Sequence, residues 1–163
     1  MIAQLSLAVM LTQTGYVRSR VDSTDSMSQC LWWPENTAIV LHQNSQGNPD
    51  NDGDTEFAAF GKSVATWQAQ LASCASLTLT DGPRTESRQT GLFKGQENAN
   101  VVLFRTRKCS DVAPMTDTCW HPDNDDCGTK FDCWQHQDAA IAITTTSYNP
   151  DSGRILDSDI EFN

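Results

Sequence analysis

Four cysteines crowd into one polar stretch, residues 109–136, and they constrain the fold of this chain more than any other feature. They are Cys109, Cys119, Cys127 and Cys133. The stretch is rich in Asp, Asn, Gly and Pro, so it cannot bury enough apolar surface to fold without covalent cross-links. Together with Cys30 and Cys74 the chain has 6 cysteines in 163 residues. An even number in a chain of this size favours three disulfides, formed in an oxidising compartment.

The pairing of these cysteines is open at the level of sequence, because many connectivities are compatible with the count. Cys30 and Cys74 each precede a segment with strand character, so we predict that they pair with each other. The other four are then predicted to pair among themselves. An alternative is a tetrahedral zinc site, for which the candidate ligands are Cys119, His121, Cys127, Cys133 and His136. Their C-x-H and C-x-x-H spacings match no common zinc module, so disulfides are the preferred interpretation.

The first fifteen residues, MIAQLSLAVMLTQTG, contain an apolar run of about ten residues. This run is too short to cross a bilayer and has the length of the apolar core of a signal peptide. We therefore predict a signal peptide at residues 1–15 and a secreted, extracellular protein. The alternative is a buried strand or helix at the N-terminus. The remaining residues, 16–163, are enough for one hydrophobic core and one domain.

The charge of the chain excludes one class of partner. There are 11 basic and 21 acidic residues, for a formal net charge of -10. Such a chain repels phosphate backbones and anionic lipid surfaces. We therefore expect no nucleic-acid partner, and no insertion into a membrane once the signal peptide is cleaved.

The hydrophobic pattern predicts one helix and five strands. Apolar residues recur at three- and four-residue steps along the helix, at Phe57, Phe60, Val64, Trp67 and Leu71. The strands are predicted at residues 38–42, 77–80, 100–105, 139–146 and 155–162. A helix between the first two strands makes them a parallel pair joined by a right-handed crossover. The predicted fold is therefore α+β (α/β-like), with a mixed, mostly parallel twisted sheet of about five strands, one backing helix and a disulfide-rich loop excursion, residues 109–136.

A single helix covers only one face of such a sheet, so we predict that the second face lacks a cover within this chain. We also predict that the apolar side chains of the later strands form one face that the helix covers in part. These side chains are Val102, Phe104, Ile141, Ile143, Ile160 and Phe162.

Several segments together resemble a known enzyme family. They are Trp33-Pro34 before the first strand, Ala58, Phe60 and Trp67 on the helix, Leu77-Thr78-Leu79, Asn100-Val101-Val102-Leu103-Phe104, and GRILDSDIEFN at residues 153–163. The arrangement is similar to the upper subdomain of matrixin-like metzincins, the secreted zinc metalloproteases of the myxobacterial type. The resemblance covers about residues 16–163, and its most specific part is the last stretch, which in the family forms the strand before the active-site helix.

The resemblance implies a zinc-dependent metalloendopeptidase that hydrolyses peptide bonds with a zinc-activated water. In the family the motif H-E-x-x-H-x-x-G-x-x-H holds the zinc, and its Glu is the general base. That motif is not in this sequence, and His42, His121 and His136 have neither its spacing nor an adjacent Glu. No catalytic residue is therefore assigned. We interpret the sequence as a fragment, a truncated reading frame or a degenerate relative that lacks the zinc-binding helix and is inactive alone.

The resemblance also implies how a protein or peptide substrate binds and where calcium binds. In matrixins an antiparallel edge strand pairs with extended substrate, and the matching residues here are Ala140, Ile141, Ala142, Ile143 and Thr144. Family calcium sites lie near Asp157 and Asp159, which alternate along one strand and therefore share a face. The competing hypothesis is a non-catalytic, secreted, disulfide-rich binding module, in which the sheet and the excursion present a recognition surface.

Overall fold

The computed structural model describes residues 18–95 and 98–163. Its main elements are the strands β1 (Ala38–Gln43), β2 (Thr78–Asp81), β3 (Asn100–Phe104), β4 (Ala142–Tyr148) and β5 (Ile155–Phe162), and the helix α1 (Thr55–Cys74). Three short helices lie between β3 and β4, namely α2 (Cys109–Val112), a 3-10 helix (Thr118–Trp120) and α3 (Cys127–Phe131). The predicted signal peptide, residues 1–15, lies outside the described residues.

The five strands form one mixed sheet in the order β2-β1-β3-β5-β4. β1 pairs in parallel with both β2 and β3, and β3 pairs in parallel with β5. β4 pairs antiparallel with β5, so that Ala142 lies opposite Phe162. The parallel pairing of β1 with β2 needs a crossover connection, and the 20 residues of α1 provide it. These features confirm the predicted fold class, a mostly parallel five-stranded sheet with one backing helix and a disulfide-rich excursion.

One face of the sheet is apolar and packs against α1. Alternate residues of the strands point to this face, and the three- and four-residue steps of α1 bring its own apolar side chains against them. The buried centre consists of Ile39, Leu41, Val64 and Val102. Partly buried side chains surround it, namely Trp33, Phe60, Leu77, Leu79, Ile160 and Phe162. The rings of Phe104 and Phe162 stack on each other with centroids 5.0 Å apart.

The opposite face is covered by the excursion and by the segment that precedes β3. Leu103 is 1% exposed and lies beside Glu161, on the face away from α1. Asp132 of the excursion binds Arg105 just after β3, and Gly91 of the preceding segment donates its backbone N–H to Asp159 at 2.6 Å. The prediction that the second face lacks a cover is therefore wrong at β3 and β5. The excursion, although irregular, acts as a second layer.

Two disulfides form, both within the excursion. Cys109 bonds to Cys133, and Cys119 bonds to Cys127, as predicted for pairing among these four. These bonds also remove the alternative in which the same cysteines bind zinc. They indicate folding in an oxidising environment.

The predicted disulfide between Cys30 and Cys74 is wrong, since both thiols are free. The carbonyl of Cys30 packs against Gly153, just before β5, so closely that no side chain would fit on that glycine. Cys74 does not directly precede a strand; it ends α1, which contacts β2. In the sheet order β2 and β5 are separated by β1 and β3, a distance of about 14 Å. A disulfide requires Cα atoms within about 7 Å.

The predicted boundaries shift most at β4, which begins at Ala142 rather than at residue 139. Ile141 precedes the strand and is 80% exposed. Ile143 pairs with Glu161 and therefore lies on the face away from α1. The prediction that these two isoleucines belong to the apolar face is therefore wrong. The other four members, Val102, Phe104, Ile160 and Phe162, share the face that α1 partly covers.

Candidate functional site

The outer edge of β4 presents backbone groups that no neighbouring strand uses. Asn163 donates its backbone N–H to the carbonyl of Ile141 at 3.0 Å, and Arg105 donates to the carbonyl of Phe162 at 2.9 Å. Both backbone groups of a strand residue point to the same side, and the side alternates along the strand. Odd-numbered residues of β5 therefore face β4, and even-numbered residues face β3.

The register of β4 on β5 then defines its free groups. Residues of β4 opposite the odd-numbered residues of β5 bond to β5, and these are Ile143, Thr145 and Ser147. The residues between them direct their N–H and C=O groups away from the sheet, and these are Ala142, Thr144 and Thr146. Over the described residues, no strand pairs with this side of β4. The edge therefore offers a partner strand three alternate positions for backbone hydrogen bonds.

The other edge of the sheet, β2, is short and partly capped. Thr78 donates its N–H inward, to the carbonyl of Thr37, at 3.0 Å. Alternation turns Leu79 outward, and its N–H donates to the side-chain Oε1 of Gln68 on α1. β2 has only 4 residues, against 7 in β4. Asp81 also faces outward by this alternation, so one of the two outward donors of this short strand is capped. The longer β4 is therefore the edge more open to a partner.

The residues predicted for substrate binding fall on both sides of the start of β4. Ala142, Ile143 and Thr144 belong to the strand, and of these Ala142 and Thr144 direct backbone groups outward. Ala140 and Ile141 precede it in a turn, where Ala140 donates its N–H to the carbonyl of Gln137 at 3.0 Å. The structure therefore places the outward-facing positions further along the chain than predicted, as far as Thr146.

A polar cleft of about 270 Å³ lies beside β4, on the face away from α1. Thr145 of β4 and Glu161 of β5 form its floor. The other lining residues come from the excursion and the preceding segment, and include Thr90, Phe93, Asp125, Asp126 and His136. Among the residues that the structure describes, the lining has three carboxylates and no lysine or arginine.

Glu161 is held in this cleft by a buried ionic network. Its Oε1 accepts a hydrogen bond from Nε of Arg105 at 2.6 Å, and its Oε2 lies 3.6 Å from Nε2 of His136. The Arg105 side chain is fully buried and also binds Asp132 at 2.8 Å, and Arg88 binds the same Asp132 oxygen at 2.5 Å. Burial opposes ionisation of Asp132, but the hydrogen bonds from the two guanidinium groups prevail and lower the pKa of its carboxyl. The network fixes the excursion to β3 and β5.

Asp157 and Asp159, the predicted calcium ligands, share the same face of β5 and are both buried. Asp159 accepts backbone N–H bonds from Val101 at 2.7 Å and from Gly91 at 2.6 Å. Oδ2 of Asp157 has no hydrogen-bond partner. Burial raises the pKa of Asp157 and raises the pKa of Asp159 to about 7. Both carboxyls are therefore harder to ionise in the folded chain than ordinary aspartates.

Calcium takes six to eight oxygen ligands, of which this pair supplies only a small part. No group of three or more His, Cys, Asp or Glu able to hold a metal occurs in residues 18–95 and 98–163. Calcium at Asp157 and Asp159 stays a prediction.

The histidines do not form a zinc site. Nδ1 of His42 lies 2.8 Å from the carbonyl of Pro83, His121 lies 3.3 Å from Asp123, and His136 stands beside Glu161. Because these rings belong to separate surroundings, the residues present do not fit a catalytic zinc. No catalytic step is derived from this chain.

A second, largely apolar cleft of about 310 Å³ lies between α1 and the carboxyl ends of the strands. Its lining includes Phe57, Phe60, Val102, Phe104 and Phe162. It is the part of the α1 face that the helix leaves uncovered.

Sequence reasoning missed Arg105, Arg88 and Asp132, which join the excursion to the sheet. One signal was present, since acidic residues at the alternate positions 157, 159 and 161 of β5 predict an acidic face that needs cationic partners. No signal identified which arginines supply them, because residues 88, 105 and 132 are distant in sequence.

Comparison with protein-family models, with curated proteins and with solved structures returned no match for this chain. In the described part of the chain, no helix has the length and apolar character needed to cross a membrane.

Proposed function

We propose that this chain is the sheet-bearing part of a secreted, matrixin-like zinc metalloendopeptidase, and that its role is to hold an extended peptide substrate along β4. One observation carries the proposal. The sheet has two edges, and β2 is capped by Gln68 whereas β4 offers Ala142, Thr144 and Thr146 to a partner strand. An extended peptide gains affinity by backbone pairing at such an edge, and its alternate side chains select it through neighbouring pockets.

The resemblance assigns the zinc-binding helix to the segment after β5, and the apolar cleft beside Phe104 and Phe162 is a suitable place for it. Covering these two rings would remove apolar surface from water, worth about 25 cal/mol per Å². Zinc, when bound by that helix, would supply the activated water. The residues of this chain would contribute the orientation of the substrate and the wall of the site. Secretion, with residues 1–15 as the signal peptide, belongs to the same proposal and agrees with the two disulfides.

Backbone pairing at β4 is tested with extended peptides that carry N-methyl groups at alternate residues. A peptide strand bonds to β4 through every second residue only. Methylation of one alternate set should therefore abolish binding to residues 1–163, whereas methylation of the other set should leave it unchanged. Fluorescence anisotropy provides the measurement. Equal binding by both methylated sets would exclude strand pairing.

The substitution Thr144→Pro removes one outward N–H and should weaken binding of the unmodified peptide. Proline is tolerated on edge strands when its missing N–H faces solvent. An unchanged circular dichroism spectrum would show that the fold is retained. Thr144→Val, which keeps the backbone donor, is the matched control and should bind normally.

The protease assignment is tested at the level of the gene. Sequencing the transcript through the codon for Asn163 should reveal H-E-x-x-H in the same frame. The longer polypeptide should then contain one zinc per chain and cleave peptides until the metal is chelated. A continuation without that motif, or a stop codon in its place, would contradict the proposal.

The second candidate is a non-catalytic secreted binding module, and one observation favours it. The excursion already closes the face away from α1, so that Val101 and Leu103 are each 1% exposed within this chain. The two candidates differ at the apolar cleft. A protease part should bind hydrophobic dyes or self-associate through Phe104 and Phe162, whereas a complete module should be monomeric, dye-silent and cooperatively folded.

A further inference from the structure

We propose that the partner of β4 is an extended peptide with a basic side chain, lysine or arginine, which enters the polar cleft formed by Glu161, Asp125 and Asp126. This inference rests on the proposed function of β4 as a peptide-binding edge, and it adds the chemical class of the peptide. Two observations carry it, the register of the edge strand and the charge of the cleft.

The register determines which peptide side chains reach the cleft. Thr145 pairs with Asp159 on β5 and shares the face of Ile143 and Glu161, away from α1. Opposed residues on neighbouring antiparallel strands point their side chains to the same face. If a peptide is added at β4, the residue opposite Thr145 therefore places its side chain on the cleft side. The residues before and after it point to the α1 side.

The cleft is suited to a cation. Its carboxylates are Glu161, Asp125 and Asp126, and no lysine or arginine lines it within residues 18–95 and 98–163. Glu161 is 4% exposed and has its Oε1 bonded to Arg105, which leaves Oε2 toward His136 at 3.6 Å. In the described part of the chain, Oδ1 of Asp125 accepts one bond, a long one of 3.3 Å from Gln135.

Phe93 adds an aromatic ring to the lining, and Thr90 and Thr145 add hydroxyl groups. A ring beside carboxylates matches a side chain that has an apolar stem and a charged head. The volume of about 270 Å³ is sufficient for one such side chain but not for a folded partner. The net charge of -10 over the chain would also draw cationic peptides toward it.

The test uses the full chain and extended peptides that differ at one residue, which is lysine, norleucine or glutamate. Lysine and norleucine have stems of similar length, so their difference reports the charge. We expect the lysine peptide to bind roughly 5- to 10-fold more tightly than the norleucine peptide, and the glutamate peptide to bind most weakly. The preference should shrink as salt is added.

The variant Asp125→Asn/Asp126→Asn should abolish most of the preference for lysine and leave binding of the norleucine peptide unchanged. Asp50→Asn/Asp52→Asn, in the exposed loop before α1, is the matched control for the loss of two charges and should retain the preference. Equal affinity for the three peptides, or a preference that survives in the Asp125/Asp126 variant, would overturn the inference while strand pairing stands. Failure of all three peptides to bind would instead contradict the proposed function and remove the basis of this inference.

Discussion

The two faces of the sheet are stabilised by different forces. The face against α1 is held by apolar contacts among Ile39, Leu41, Val64 and Val102. The opposite face also buries Val101 and Leu103, but charges join it to the excursion, with Arg105 between Glu161 and Asp132. Two disulfides brace the excursion itself. Apolar contacts are non-directional and tolerate substitution in proportion to the surface lost. Buried ionic networks fail when one partner is removed, because the other charge stays buried without compensation.

The largest expected effect is on the ionic face, from Arg105→Leu. This change leaves Glu161 buried without its cation and removes one of the two cations from Asp132. Breaking a buried pair in this way should lower the free energy of unfolding by about 3–5 kcal/mol. Urea denaturation followed by tryptophan fluorescence measures it.

The double variant Arg105→Leu/Glu161→Leu should recover part of that loss, since no unpaired charge is then left between β3 and β5. Arg107→Leu is the control. Among the described residues, the exposed Arg107 side chain donates to two backbone carbonyls, those of Phe131 and Asp132, and to no carboxylate. A larger loss from Arg107 than from Arg105 would mean that the ionic network does not hold this face.

On the apolar face, Leu41→Ala should lower the free energy of unfolding by about 3 kcal/mol. Leu41 is 8% exposed and lies in the cluster beneath α1. Its removal takes away apolar contacts and leaves a cavity. Leu92→Ala, at an exposed leucine, is the control and should cost much less. Equal losses at both positions, in thermal or urea unfolding, would contradict the assignment of Leu41 to the core.

The two faces also differ in how well the sequence predicts them. The strands, the helix and the apolar core follow from local periodicity, so β1, α1 and β5 were predicted within a few residues. The ionic face depends on contacts such as Arg88 to Asp132 and Gly91 to Asp159, across 44 and 68 residues. Periodicity carries no information about such pairs. The edge position of β4 was expected from the family resemblance and not from periodicity, and the cleft beside it, which combines residues far apart in sequence, was not expected at all.

The next prediction concerns the disulfides of the excursion. The double variant Cys119→Ser/Cys127→Ser removes a disulfide that closes a loop with a sequence separation of 8. It should lower the free energy of unfolding by about 2 kcal/mol. Cys30→Ser/Cys74→Ser is the control. Both of these thiols are free, so that variant should change stability by less than about 0.5 kcal/mol. If Cys30→Ser/Cys74→Ser lowered the free energy of unfolding as much as Cys119→Ser/Cys127→Ser, the predicted disulfide between Cys30 and Cys74 would be supported after all.

The smallest expected effect is a pH dependence of the ionic face. Burial raises the pKa of Asp159 from its ordinary value of 3.8 to about 7, so between these values the folded state binds more protons than the unfolded state. The stabilisation from protonated Asp159 is complete below the ordinary pKa and is lost as pH rises through about 7. The free energy of unfolding should therefore fall by about 1 kcal/mol between about pH 6 and pH 7.5. Asp159→Asn should flatten this slope, whereas exposed Asp52→Asn should keep it. Thermal unfolding in chelator-containing buffer measures both. A wild-type stability that does not change between about pH 6 and pH 7.5 would show that Asp159 is already ionised in the folded chain, with its two amide donors outweighing burial.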